Sequence, residues 1–197
     1  MSLDQNALKH LQEFGFGQEQ IDAIYERGSV KTIEAVISYF DSLSKTGFTV
    51  NDIYQISSHG GGSKNIRVLF DSYKDLTNLG FSHQELIEIA SHNGGSKNIQ
   101  AILTSYDDLI QLGITGKDII KIASHGGGSK NIQAALDYYN VLIKLHFTSS
   151  QIIKILSNPG GSKTIKTLIK HHTDLKKLSF TNQEIVNIAS RASGVEI

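Results

Sequence analysis

Ser58-His59-Gly60-Gly61-Gly62-Ser63-Lys64-Asn65 gathers a hydroxyl, an ammonium and three glycines, residue types that hold an anion without reacting with it. The pattern returns as Ser91-His92-Asn93-Gly94-Gly95-Ser96-Lys97-Asn98 and as Ser124-His125-Gly126-Gly127-Gly128-Ser129-Lys130-Asn131. A looser copy is Ser157-Asn158-Pro159-Gly160-Gly161-Ser162-Lys163-Thr164. Each copy begins 33 residues after the last. At a helix start, unpaired N–H groups and the positive end of the helix dipole favour a phosphate. Glycine lets it approach, and Ser and Lys add a donor and a charge. The candidate phosphate ligands are therefore Gly61, Gly62, Ser63 and Lys64, then Gly94, Gly95, Ser96 and Lys97. The later copies add Gly127, Gly128, Ser129 and Lys130, and Gly160, Gly161, Ser162 and Lys163. One such loop is weak evidence, since Gly and Ser also cap helices. Four at a constant period match a polymer with regularly spaced phosphates, which is nucleic acid.

Two residues in each loop vary while their surroundings do not: His59-Gly60, His92-Asn93, His125-Gly126 and Asn158-Pro159. The first of each pair (His59, His92, His125, Asn158) can bond back to carbonyls left open at the end of the preceding helix. The second (Gly60, Asn93, Gly126, Pro159) is the loop tip. Glycine there leaves room for a thymine methyl, and Asn93 can donate to purine N7 or O6 in the major groove.

Other chemistries fit less well. A P-loop needs a preceding strand, wider Gly spacing and Lys before Ser or Thr; here Ser comes before Lys and there are four copies. The loop His and Asn residues do not suit zinc. Equivalent side chains on helices about 8–10 Å apart run parallel, while Zn–N bonds need about 2.0–2.1 Å. No nucleophile, base and acid converge, so no metal, cofactor or enzymatic activity is expected.

The loops must be carried by helices. Thr49, Ser82, Thr115, Thr148 and Thr181 follow an apolar residue and read as N-caps, with Asp52, Glu85, Asp118 and Glu184 completing capping boxes. A short helix follows, such as 52–57, then the Gly loop, then a longer helix starting at the Ser-Lys pair. Ile66, Leu69, Tyr73, Leu76 and Leu79 mark the core face of that second helix, as do Ile99, Ile102, Tyr106, Leu109 and Leu112 one unit later. Tyr139 shares the tyrosine position and is read as core packing. Gly80 and Gly113 read as C-caps.

A fixed period of this size marks a repeat array. The expected fold is all-α, a superhelical solenoid of two-helix repeats of about 33 residues. Residues 1–47 form an N-terminal cap and a degenerate repeat whose loop is Glu26-Arg27-Gly28-Ser29-Val30-Lys31. Residues 48–179 form four regular repeats, and 180–197 a C-terminal partial repeat with Ser190-Arg191-Ala192 at the loop position.

The chain has 197 residues, no Cys, no Trp and one Pro. No disulfide or thiolate metal site can form, and no apolar run approaches the ~20 residues that span a bilayer. Met1 to Phe14 lacks the apolar core of a secretory signal. Net charge is zero, yet 48–179 hold 14 Lys+Arg against 10 Asp+Glu, while 1–47 hold 4 against 7. The array is the basic part, as a nucleic-acid face requires.

Phe81-Ser82-His83-Gln84-Glu85-Leu86-Ile87-Glu88-Ile89-Ala90-Ser91-His92-Asn93-Gly94-Gly95 and Ile122-Ala123-Ser124-His125-Gly126-Gly127-Gly128 resemble repeats of the transcription activator-like effectors, in particular the shorter TALE-like proteins of bacteria. The resemblance covers about residues 16–194. It implies a right-handed superhelix that binds double-stranded DNA through the major groove as a monomer, one base per repeat. It also implies that Gly60 and Gly126 read thymine, Asn93 reads guanine with adenine second, and Pro159 reads permissively. His59, His92, His125 and Asn158 would brace the loops, and Lys64, Lys97, Lys130 and Lys163 would face phosphates. The implied site is 5′-TGTN, read with low affinity and specificity, because the family's effectors carry many more repeats and a basic N-terminal region. The resemblance allows a bacterial cytoplasm or, for a secreted effector, a host nucleus and its chromatin. It does not carry over transcriptional activation. The rivals are a protein-interaction solenoid and a non-specific DNA- or chromatin-associating protein.

Overall fold

The computed structural model describes residues 4–191. Residues 1–3 and 192–197, the outer ends of the expected cap and partial repeat, lie outside the described residues, as does Ala192 of the last loop-like triplet. The described residues form twelve helices and no strand: α1 (Gln5–Glu13), α2 (Gln18–Gly28), α3 (Val30–Lys45), α4 (Val50–Ser57), α5 (Gly62–Asn78), α6 (His83–Ala90), α7 (Gly95–Gln111), α8 (Gly116–Ala123), α9 (Gly128–Lys144), α10 (Ser149–Leu156), α11 (Gly161–Lys177) and α12 (Asn182–Arg191). From α4 on, eight-residue helices alternate with seventeen-residue ones until α12.

Two compact units divide the chain, Met1–Gln100 and Ala101–Ile197, with the boundary inside α7. In the first, α4 packs against α2 and α6, and α5 against α3. In the second, α10 packs against α8 and α12, and α11 against α9. Short helices thus lie on short ones and long on long, which gives each unit two helical layers. The apolar spacing explains the seam. Ile53, Ile56, Ile66, Leu69 and Leu76 are fully buried in the first unit, as are Ile152, Leu156 and Ile165 in the second. Tyr139 is buried, its hydroxyl donating to Ser149 Oγ at 2.7 Å. Tyr73 lies only partly inside: its ring meets Phe48 edge-on, while its hydroxyl reaches Thr46 O at 3.4 Å. A phenol needs a polar partner, and this one finds it at the layer's rim. Tyr106, Leu79 and Leu112 are likewise half-buried.

Helix starts follow the hydroxyl residues. Thr49, Ser82, Thr115 and Thr148 each accept from the backbone N–H three residues on, and the side chains of Asp52, Glu85 and Gln151 return the bond to the cap residue's N–H. The short helices therefore begin directly after the cap, at Val50 rather than 52. Burial pushes the Asp118 carboxyl up, but hydrogen bonds from Thr115 and Lys121, with the Lys121 charge, hold it below the usual carboxylate range. The Thr181 N–H and hydroxyl hold the Glu184 carboxyl down in the same way.

The first of the two irregular loops closes up. Between α2 and α3 only Ser29 lies outside a helix, at φ +70°, so the expected loop 26–31 shrinks to one residue. Arg27 lies inside α2 and Lys31 inside α3. One residue at φ +70° and ψ 175° is enough to turn the chain from α2, which packs on α4, to α3, which packs on α5. Ser190 and Arg191 likewise belong to α12 rather than to a loop.

Long helices end on a left-handed residue whose N–H bonds back into the last turn, as from Gly80 to Thr77 O and from His146 to Ile143 O. Gly80 and Gly113 fill that position at φ +90° and +82°, but His146 and Ser179 must adopt φ +64° and +66°. Left-handed backbone costs a side chain about 1 kcal/mol relative to glycine. His146→Gly is expected to raise stability by about 0.5–1 kcal/mol in urea denaturation, since the imidazole packs against little. A decrease would show that the ring packs usefully.

Candidate nucleic-acid interface

The regular loops are tight in their middle and open at their tip, and three of the four show a bond that ties the base. At the base, His59 Nδ1 pairs with Gln55 O at 2.8 Å and His92 Nδ1 with Glu88 O at 2.7 Å. Asn158 Nδ2 donates to Lys154 O at 2.6 Å. These are carbonyls that the last turn of a short helix leaves open, so the first variable residue closes a helix end. In the middle, the Gly62 N–H donates to His59 O at 3.0 Å, and the equivalent turn closes at Gly95, Gly128 and Gly161. At the tip, Gly60, Asn93, Gly126 and Pro159 are all exposed. Lys64, Lys97, Lys130 and Lys163 are at least partly exposed as well, each four residues after its tip in the first turn of a long helix.

The glycines behind the tips have a conformational requirement of their own. Gly61 and Gly127 sit at φ +88° and +94° and cap α5 and α9, their carbonyls accepting from Lys64 and Asn65, and from Lys130 and Asn131. Gly94 and Gly160 take the same conformation. A Cβ on Gly62 would fall 2.2 Å from Ser57 O, so the long helix starts against the backbone of the short one. For this reason the long helices begin at that glycine, one residue before the Ser-Lys pair. The N–H groups of Gly62, Lys64, Gly95 and Lys97 are all spent within their loops. Attraction for an anion therefore rests mainly on the lysines and the helix-start dipole.

A residue type the motif contained but no expectation used holds successive loops together. Asn65 is fully buried; its Nδ2 donates to Ala90 O at 3.0 Å and His92 O at 3.3 Å, and its Oδ1 accepts from the Ser96 N–H at 2.8 Å. Asn131 does the same in the second unit, to Leu156 O, Asn158 O and the Ser162 N–H. The side-chain amide thus clamps the next loop by both shoulders and consumes the N–H of Ser96 and Ser162. The signal was present as an Asn following Lys in the first three copies: a polar side chain in an otherwise apolar helix face needs dedicated partners. In the fourth copy Thr164 takes its place and bonds Gly160 O within its own loop at 3.3 Å.

In the first unit the two tips also touch, the Gly60 N–H donating to Asn93 Oδ1 at 3.0 Å. A groove in the second unit is lined by Lys121, Lys154, Arg191, Ser157 and Asp118, the last already engaged by Thr115 and Lys121. Among the described residues no three His, Asp or Glu side chains come together as metal ligands, and no helix is long and apolar enough to cross a membrane. No protein-family model matches this chain, and neither does any curated protein.

Proposed function

We propose that the protein binds double-stranded DNA in the major groove, each regular repeat presenting one loop tip to one base. One observation carries this reading: in every regular repeat the variable residue sits exposed at the tip of its Gly loop, with a solvent-accessible lysine four positions on. A rigid loop presenting one interchangeable residue suits base readout, and a periodic lysine suits the phosphates beside it. The proposal includes a right-handed superhelical solenoid of two-helix repeats, supported by the constant 33-residue period of the four loops. Gly60 and Gly126 accommodate thymine, Asn93 takes guanine, and Pro159 discriminates little, for a site 5′-TGTN. Lys64, Lys97, Lys130 and Lys163, with the hydroxyls of Ser63, Ser129 and Ser162, face phosphates, the predicted fourth serine, Ser96, being buried, while the glycines shape the loops that bring them there. No catalytic step is assigned.

Replacing all four lysines with Ala is expected to weaken DNA binding and to flatten the dependence of log K on log salt by about 0.9 for each phosphate no longer neutralised. Titrations between low and moderate salt measure it; an unchanged slope removes the lysines from the interface. The rival, a protein-interaction array, draws support from the exposed apolar side chains Val141, Ile143 and Leu178 and from the acidic first 47 residues. It predicts no DNA binding even at low salt.

A further inference from the structure

The bond between the first two tips bears on which purine the second repeat selects. An amide side chain can face a base in two ways. With both its oxygen and its NH2 available, it reads adenine bidentately, accepting from N6–H and donating to N7. With its oxygen held toward a neighbouring N–H, the group presents chiefly its NH2 donors to the base, and donors match guanine, whose major-groove edge offers the acceptors N7 and O6. Asn93 is in the second situation. Its Oδ1 accepts from the Gly60 N–H at 3.0 Å, and only the oxygen can do so, since the NH2 has no acceptor capacity. Nδ2 is thereby turned away from Gly60.

The contact depends on residue 60 being glycine. A Cβ there would lie 2.8 Å from Asn93 Oδ1 and 3.5 Å from its Cγ. The Gly60 backbone is not left-handed, so alanine costs nothing in φ; its effect falls on the neighbouring amide. The corresponding tip in the second unit supplies a control. A Cβ on Gly126 would meet nothing within 4 Å, and the next tip, Pro159, has no side-chain acceptor.

We infer that Gly60 is a specificity-determining residue for the second repeat: its N–H engages the Asn93 carbonyl oxygen and so makes Asn93 a guanine reader rather than an adenine reader. This rests on the DNA-reading proposal above. The two tips then do not read independently, and changing the first alters selection at the second base.

The test measures binding of wild type, Gly60→Ala and Gly126→Ala to duplexes that differ only in guanine or adenine at the second position. Wild type is expected to favour guanine by about fivefold or more. The ratio is taken within each variant, so that the affinity each added methyl costs at its own thymine cancels. Gly60→Ala should bring the ratio to unity or invert it, while Gly126→Ala, losing affinity in the same way, keeps the wild-type ratio. In parallel, amide hydrogen exchange at Gly60 should speed up in Asn93→Ser, a readout that needs no DNA and that a general loss of fold would not confine to one amide. An unchanged guanine-to-adenine ratio in Gly60→Ala overturns the inference while leaving DNA reading intact. So does DNA binding by wild type without any purine preference. No binding to any duplex overturns the DNA-reading proposal and this inference with it, whereas unaltered Gly60 exchange in Asn93→Ser overturns the inference by removing the bond it rests on.

Discussion

Asn131→Ala is expected to lose about 3–5 kcal/mol of stability, more than deletion of any other polar side chain in the second unit. The side chain is 1% exposed and makes three hydrogen bonds, at 2.7 Å to Leu156 O, 3.0 Å to Asn158 O and 2.8 Å from the Ser162 N–H. Truncation removes its own amide and strands three backbone groups in or near the core. Each buried group left without a partner costs about 1–3 kcal/mol, and water can reach the outermost of them. The loss should concentrate in the second unit, so hydrogen exchange in α10 and α11 should accelerate more than in α4 and α5. Asn131→Thr should not restore stability, because one short hydroxyl cannot replace an amide that donates to two carbonyls and accepts from an N–H. Urea denaturation of the three proteins measures this, and a loss below about 1 kcal/mol would contradict the clamp.

Gly128→Ala should cost about 2–3 kcal/mol, and Gly126→Ala, two residues away, less than about 0.5 kcal/mol. A Cβ on Gly128 would lie 2.5 Å from Ala123 O and 2.8 Å from its Cα, both rigid backbone atoms at the end of α8. The clash can be relieved only by moving the start of α9 off the end of α8, the kind of overpacking that typically costs about 1–3 kcal/mol. Around Gly126 there is open space within 4 Å, and exposed substitutions of that kind fall within about 0.5 kcal/mol. Thermal unfolding of the two variants side by side decides the matter. Equal effects would mean that the glycines act as a set and not by position.

The helices were legible because their signals are local. The Thr and Ser caps with an acid or amide three residues on and the apolar spacing at Ile66, Leu69 and Leu76 each specify a helix from within about one turn. The closing of loop 26–31 onto Ser29 was not, since nothing local shows that a single serine at positive φ can make the whole turn between two helices. Within the site, the exposed tips and lysines could be read from the period. The distinct tasks of three consecutive glycines could not. Gly60 leaves space for Asn93, Gly61 takes a left-handed turn, and Gly62 lets α5 start against Ser57; each task depends on an atom outside the triplet or on a torsion. Asn65 was visible as a repeated letter, but its partners lie 25 to 31 residues away, where only packing reveals them.

The measurement closest to the central claim is fluorescence anisotropy at low salt with a duplex containing 5′-TGTA and one containing 5′-TATA, for wild type and Asn93→Gly. Wild type should prefer the first duplex, and Asn93→Gly should lose that preference with little change in its response to the other positions. Equal binding of both duplexes by both proteins would contradict base reading, leaving only a phosphate-holding face, and an absence of binding to either would contradict the DNA interface altogether.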